Sequence, residues 1–102
     1  MSARLPFKDP AEVKLLRFPF AGELETGVTL ATVDINVTTE AGIDAAPSAI
    51  RSGAAVINPA TQEVLQRVTG GLHQCDYKLR CLATDSSGLV HLIVATLPVR
   101  NL

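Results

Sequence analysis

Two strand-like runs, Leu72–Ala83 and Leu89–Val99, stand on either side of Thr84-Asp85-Ser86-Ser87-Gly88. No other feature of the chain constrains its fold as tightly. A cluster of turn formers whose glycine can take positive φ joins two β-rich runs most simply as an antiparallel hairpin. Matching apolar faces pairs Ala83 with Val90, Cys81 with Leu92 and Leu79 with Val94, so that six apolar side chains share one face. On that register the other face shows Lys78, Arg80, Leu82, His91, Ile93 and Ala95. Half of it is apolar where a solvated face would be mostly polar, so Leu82, Ile93 and Leu97 are expected to meet a partner.

The rest of the chain has the same character. Val, Ile and Thr together number 24, and long stripes at helical spacing are absent, which makes the secondary structure mostly β. From Val28 to Thr39 the residues alternate, with Ala31, Val33, Ile35 and Val37 on one face and Thr32, Asp34, Asn36 and Thr38 on the other. A small, polar stretch from Glu40 to Gly53 reads as a loop or a short edge segment. Ala54–Ile57 reads as a short strand ended by Asn58-Pro59, and Glu63–Val68 as another closed by Gly70-Gly71, with one helical turn across Ala60–Arg67 as the alternative. Short strands with turn signals about every ten residues suit an all-β, immunoglobulin-like antiparallel sandwich over residues 14–102. Tyr77 then falls where such folds keep a buried tyrosine, although it precedes Cys81 by four residues and not by the two of a tyrosine corner.

Residues 1–13 carry Pro6 and Pro10 with Leu5 and Phe7, and show no sustained period. That describes an extended arm. Leu and Phe are costly to leave in water, so the expectation is an arm docked on its own domain or on a neighbour, a frayed terminus being the alternative. Phe18-Pro19-Phe20 reads as a core-edge or interface feature.

Of the 102 residues, 47% are hydrophobic and 19% charged, against a usual ~25% charged, which excludes disorder. A net charge of -1 gives no reason to expect nucleic acid or an anionic membrane as partner. No secretory h-region or membrane span is legible, and the chain is expected to be made and kept in the cytosol. Cys75 and Cys81 lie six residues apart, about 20 Å along a strand, whereas a disulfide needs Cα atoms within about 7 Å. Both are expected to be buried free thiols. With His73 and His91 they are the only Cys and His of the chain, without the spacing of a zinc site. No G-x-S-x-G elbow, triad spacing or phosphate loop occurs. No catalytic, cofactor-binding or metal-ligating residue is therefore expected.

The order Lys8-Asp9-Pro10-Ala11-Glu12-Val13, an apolar strand reaching Leu24, Asp76-Tyr77 and the Thr84–Gly88 turn resembles a family of ~100-residue tailed-phage structural proteins. Those proteins open with Lys-Asp-Pro and a Glu/Asp-Val step and are associated with immunoglobulin-like fibre–tail adaptors. Where the family commonly has Asp-Trp-Ser and a strand tryptophan, this chain has Phe20-Ala21-Gly22 and Asp34-Ile35-Asn36. The resemblance implies a bacteriophage virion protein made in the host cytoplasm. Its partners would be tail, fibre or capsid subunits and copies of itself, and its contacts would run through Leu5, Phe7, Phe18, Phe20, Leu82, Ile93 and Leu97. A role in capsid decoration or in the head–tail joint is the second reading within the virion. An intracellular peptide-binding sandwich module is the alternative outside it.

Overall fold

The computed structural model describes residues 2–102; Met1, the first residue of the expected arm, lies outside the described residues. Seven strands follow one another as β1 (Ser2–Arg4), β2 (Lys14–Pro19), β3 (Leu30–Ala41), β4 (Arg51–Asn58), β5 (Glu63–Val68), β6 (Cys75–Asp85) and β7 (Val90–Val99). One-turn 3-10 segments at Ala21–Glu23 and Pro47–Ile50 are the helical pieces among the described residues. The alternating runs became strands as expected, and Glu63–Val68 is a strand and not a helical turn.

The strands form two packed sheets, one in the order β1-β7-β6-β3 and the other in the order β2-β5-β4. The neighbours β2-β5-β4 and β3-β6-β7 are those of strands B-E-D and C-F-G in an immunoglobulin sandwich. β1 departs from a purely antiparallel plan, for it runs parallel to β7 with Ser2 against Val94 and Arg4 against Thr96. The arm is thus docked on its own domain. It continues past β1 through hydrogen bonds from the Leu5 N–H to Thr96 O and from the Lys8 N–H to Pro98 O, with the Arg100 N–H returning to Lys8 O.

Each sheet turns one side inward, as the two-residue period of a strand requires. Cys75, Tyr77, Leu79, Cys81 and Ala83 are all buried, while Lys78 and Arg80 are not. The facing sheet contributes Phe18, Val64 and Val68, and Phe20 follows β2 into the same core. Ile35 and Val37 are buried and Val33 half-buried, although Ala31 at the head of that face is exposed.

The hairpin register differs by one residue from the apolar match. Cys81 faces Ile93, Leu79 faces Ala95 and Ala83 faces His91. The turn decides this. The Asp85 side chain accepts hydrogen bonds from the Ser87 N–H and the Leu89 N–H, while the Asp85 N–H donates to Leu89 O. These bonds close a tight connection over Asp85–Leu89, in which Gly88 takes φ +92°. β6 therefore runs two residues further than the apolar pattern suggests, and a one-residue slip reverses every side chain of β7. Ile93, Ala95, Leu97 and Val99 go inward, and Val90, Leu92 and Val94 go out.

Candidate functional site

The polar clusters are built as struts. Asp85, almost wholly buried, receives Ser87 Oγ at 2.6 Å on one oxygen and lies 2.8 Å from His91 Nε2 on the other, with Glu23 Oε2 3.7 Å from His91 Nδ1. The carboxylate sits between serine and imidazole, the reverse of a catalytic triad, in which the imidazole lies between the other two. These hydrogen bonds to its anionic form hold the Asp85 carboxyl well below the usual carboxylate range. The cluster does the work of a turn.

Tyr77 occupies the corner that its spacing left open. Its side chain is fully buried, its hydroxyl accepts the Leu72 N–H at 2.9 Å, and it donates to Asp44 Oδ2 at 2.7 Å. The bond to a backbone group five residues upstream is that of a tyrosine corner. Gly71 makes room for the ring: at φ +91° a Cβ there would stand 2.9 Å from Val99 Cγ2 and 3.3 Å from Tyr77 Cε2. Both cysteines are free and buried, as expected. Burial pushes the Cys81 thiol up to about 12. Cys75 Sγ faces Ile43 O at 3.5 Å, and His73 Nδ1 accepts the Asn101 N–H. Among the described residues no three His, Cys, Asp or Glu side chains converge as a metal site.

The expected contact residues are divided by the structure. Phe18, Phe20, Ile93 and Leu97 are at most 4% exposed and belong to the core of this chain, which corrects their assignment to a partner surface. For Ile93 and Leu97 the cause is the register. For Phe18 and Phe20 it is β2, which sends alternate residues under the sheet. Leu5 is half-buried against the core and Leu82 half-buried on the outer face of the larger sheet. Phe7 remains in the open at 56% exposure, with the Arg100 guanidinium 5.5 Å from its ring centre. Between the arm and β2 lies a small cleft of about 170 Å³ lined by Leu5, Phe7, Leu15 and Leu16.

An apolar outer face does exist, with Leu82 on it as expected but with other residues of β7. Leu82 and Leu92 stand directly opposite each other, Val94 lies opposite Arg80, and Val90 lies opposite Thr84. Leu82, Leu92 and Val94 are half-buried, while Val90 and neighbouring Leu89 are exposed. This aliphatic strip runs from the hairpin tip along β7 and ends where the arm begins, since Ser2 pairs with Val94. Which residues of β7 line it only the turn chemistry of Asp85 could have revealed from the sequence. Lys8 secures the arm below it: the side chain is 1% exposed, and Nζ donates to Gly70 O at 2.7 Å and to Asp9 O at 3.0 Å. Burial lowers the Lys8 pKa, against the pull of nearby Glu12 and Asp9.

No family model matches the chain, and no curated protein matches it.

Proposed function

We propose that this chain is a non-enzymatic structural protein of a tailed-phage particle, an adaptor that joins tail fibres to the tail by protein–protein contact. The observation that carries the interaction part of this reading is the aliphatic strip of Leu82, Val90, Leu92 and Val94 on the outer face of the larger sheet. Apolar surface gathered in one place on a small domain marks a contact surface more often than scattered exposure does. The Asp85 and Tyr77 clusters support the same reading, because the first closes a turn and the second a corner. The virion part rests on the resemblance of the Lys8–Val13 and Asp76–Gly88 motifs alone.

The test is to disrupt the gene for this chain in a phage that carries it and to image the particles. Full tails without fibres, together with the chain found by mass spectrometry in purified wild-type particles, is the expected result. Absence of the chain from purified particles would overturn the reading. Particles that keep their fibres but have fragile capsids would transfer the chain to decoration. Leu92→Lys should leave the domain folded, since the side chain faces out, yet prevent incorporation.

A further inference from the structure

The larger sheet has two lateral edges, and the fold treats them differently. At one, the arm covers β7 from Val94 to Val99. At the other lies β3, twelve residues long and paired, among the described residues, with β6 alone. The direction of its backbone groups follows from the ladder. The bond from the Asp85 N–H to Leu89 O places odd-numbered β6 residues in hydrogen-bonded pairs with β7. Even-numbered β6 residues therefore bond to β3, through Thr32, Asp34, Asn36 and Thr38. Val33, Ile35, Val37 and Thr39 must then direct their N–H and C=O groups away from the sheet.

Among the described residues, one of these outward groups is engaged. Ile35 O accepts Arg51 Nη1 at 2.9 Å. The guanidinium is held there from behind, because Arg51 Nε donates to Gln66 Oε1 at 3.2 Å, and the fully buried Gln66 is itself fixed by donating to Gly53 O and Arg67 O. A side chain seated on that carbonyl fills the ~4.8 Å lane that an added strand would need.

The edge is also self-complementary. Its regular part lies between register shifts at Leu30/Thr32 and Thr39/Ala41, and Ile35 is near its middle. A two-fold axis through Ile35 would set Thr32 against Thr38, Val33 against Val37 and Asp34 against Asn36, each pair occurring twice. Threonine pairs and a carboxylate facing an amide are favourable cross-strand neighbours. An axis on Asp34 instead would oppose two carboxylates, and one on Val37 would oppose Asp34 to Glu40.

We propose that the β3 edge is a self-association surface held shut by Arg51: once the guanidinium leaves Ile35 O, two copies pair β3 to β3 antiparallel about Ile35 and join their larger sheets into one of eight strands. Such an interface is isologous and closes on itself as a dimer. The proposal does not depend on the virion reading.

Sedimentation equilibrium on Arg51→Ala tests it, and the dimer dissociation constant should tighten at least about tenfold relative to wild type. Val33→Pro added to that variant should restore the monomer, since it removes an N–H that β6 does not use. Asn36→Asp should do the same by placing a carboxylate against Asp34 twice. A folded Arg51→Ala protein that stays at the wild-type association state overturns the proposal, as does a dimer indifferent to Val33→Pro and Asn36→Asp. Should Arg51→Ala fail to fold, Arg51→Met, which keeps the aliphatic stem and loses the guanidinium on Ile35 O, is mixed with a synthetic peptide of residues 30–41 in excess. Slowed hydrogen exchange at the Val33, Ile35 and Val37 amides supports the pairing, and unchanged exchange overturns it.

Discussion

Replacing Tyr77 by Phe removes one oxygen atom from the corner and nothing from the packing, so its consequence can be worked from two bonds. The hydroxyl accepts from the Leu72 N–H and donates to Asp44 Oδ2. A neutral hydrogen bond contributes about 1 kcal/mol net and one to a charged group about 1.5–3 kcal/mol. Leu72 is half exposed and Asp44 only partly buried, so water can recover part of the loss. A net destabilisation of about 2 kcal/mol is expected, which for a domain of this length lowers Tm by roughly 8–16 °C.

The same bond predicts a pH dependence. Donation from Tyr77, with help from the Ala46 N–H, holds the Asp44 carboxyl below its ordinary value. A lowered folded pKa contributes stability that is full above the unfolded value of about 3.9 and is lost as pH falls toward the folded one. Tyr77→Phe weakens that contribution. The gap between wild type and variant should therefore be widest near neutral pH and narrow below about pH 4. Urea titrations followed by circular dichroism at several pH values measure both effects. A loss under about 0.5 kcal/mol at pH 7, or a gap that widens with acid, would refute the reasoning, because the hydroxyl would then not be sustaining the corner.

Asp85→Asn should destabilise the hairpin and flatten the acid limb of the stability profile. The Asp85 carboxylate, lowered by Ser87 and His91, contributes stability above the usual carboxylate range that is lost as pH falls, and urea midpoints from pH 7 downward would show it. Cys81→Ser should cost about 1–3 kcal/mol, because it puts a hydroxyl into an apolar layer. In wild type the Cys81 thiol should react with a thiol reagent only on unfolding; the raised thiol pKa further implies stability lost as pH rises above about 8.5, which alkaline denaturation would reveal. Lys8→Ala should cost about 1–3 kcal/mol by leaving Gly70 O unpaired beneath the arm, and should raise hydrogen exchange at the Leu5 amide.

What was legible in the sequence was period, and what escaped was anything that period does not encode. Alternation in β3 and β6 told which side chains go inward, because a half-buried strand must repeat every two residues. It could not fix β7. The run from Leu89 to Val99 is apolar at both odd and even positions, so either face would have served as the inner one. The choice passed to the Asp85 side chain, whose hydrogen bonds to its own turn look in the sequence like any other Asp-Ser-Ser-Gly cluster. The predicted surface residues Ile93 and Leu97 were misplaced for that reason, while an apolar outer face was foreseen because both faces of β7 had to be apolar. Arg51 and Gln66 gave no signal at all: they meet within the smaller sheet, and Arg51 reaches Ile35 O only because β4 lies beside the β3 edge, a contact between the two sheets.

The three treatments of backbone edges and apolar faces bear on how such a domain could assemble. An open strand edge invites indiscriminate pairing, and natural sheets blunt theirs. Here the β7 edge is covered along Val94–Val99 by the arm, and the β3 edge is interrupted by two register shifts and stopped at its middle by Arg51. With both edges of the larger sheet obstructed, what that sheet leaves to a partner is the side-chain surface of Leu82, Val90, Leu92 and Val94. Recognition through side chains is selective where recognition through backbone is not, since any extended chain offers the same N–H and C=O groups. If that division is correct, Arg51→Ala and Leu92→Lys should fail in opposite ways. The first should gain association between copies while keeping its partner contact, and the second should remain monomeric and lose the partner. A single variant that changed both would mean that strip and edge form one surface, and the arm and Arg51 would then have to be read as parts of the same interface.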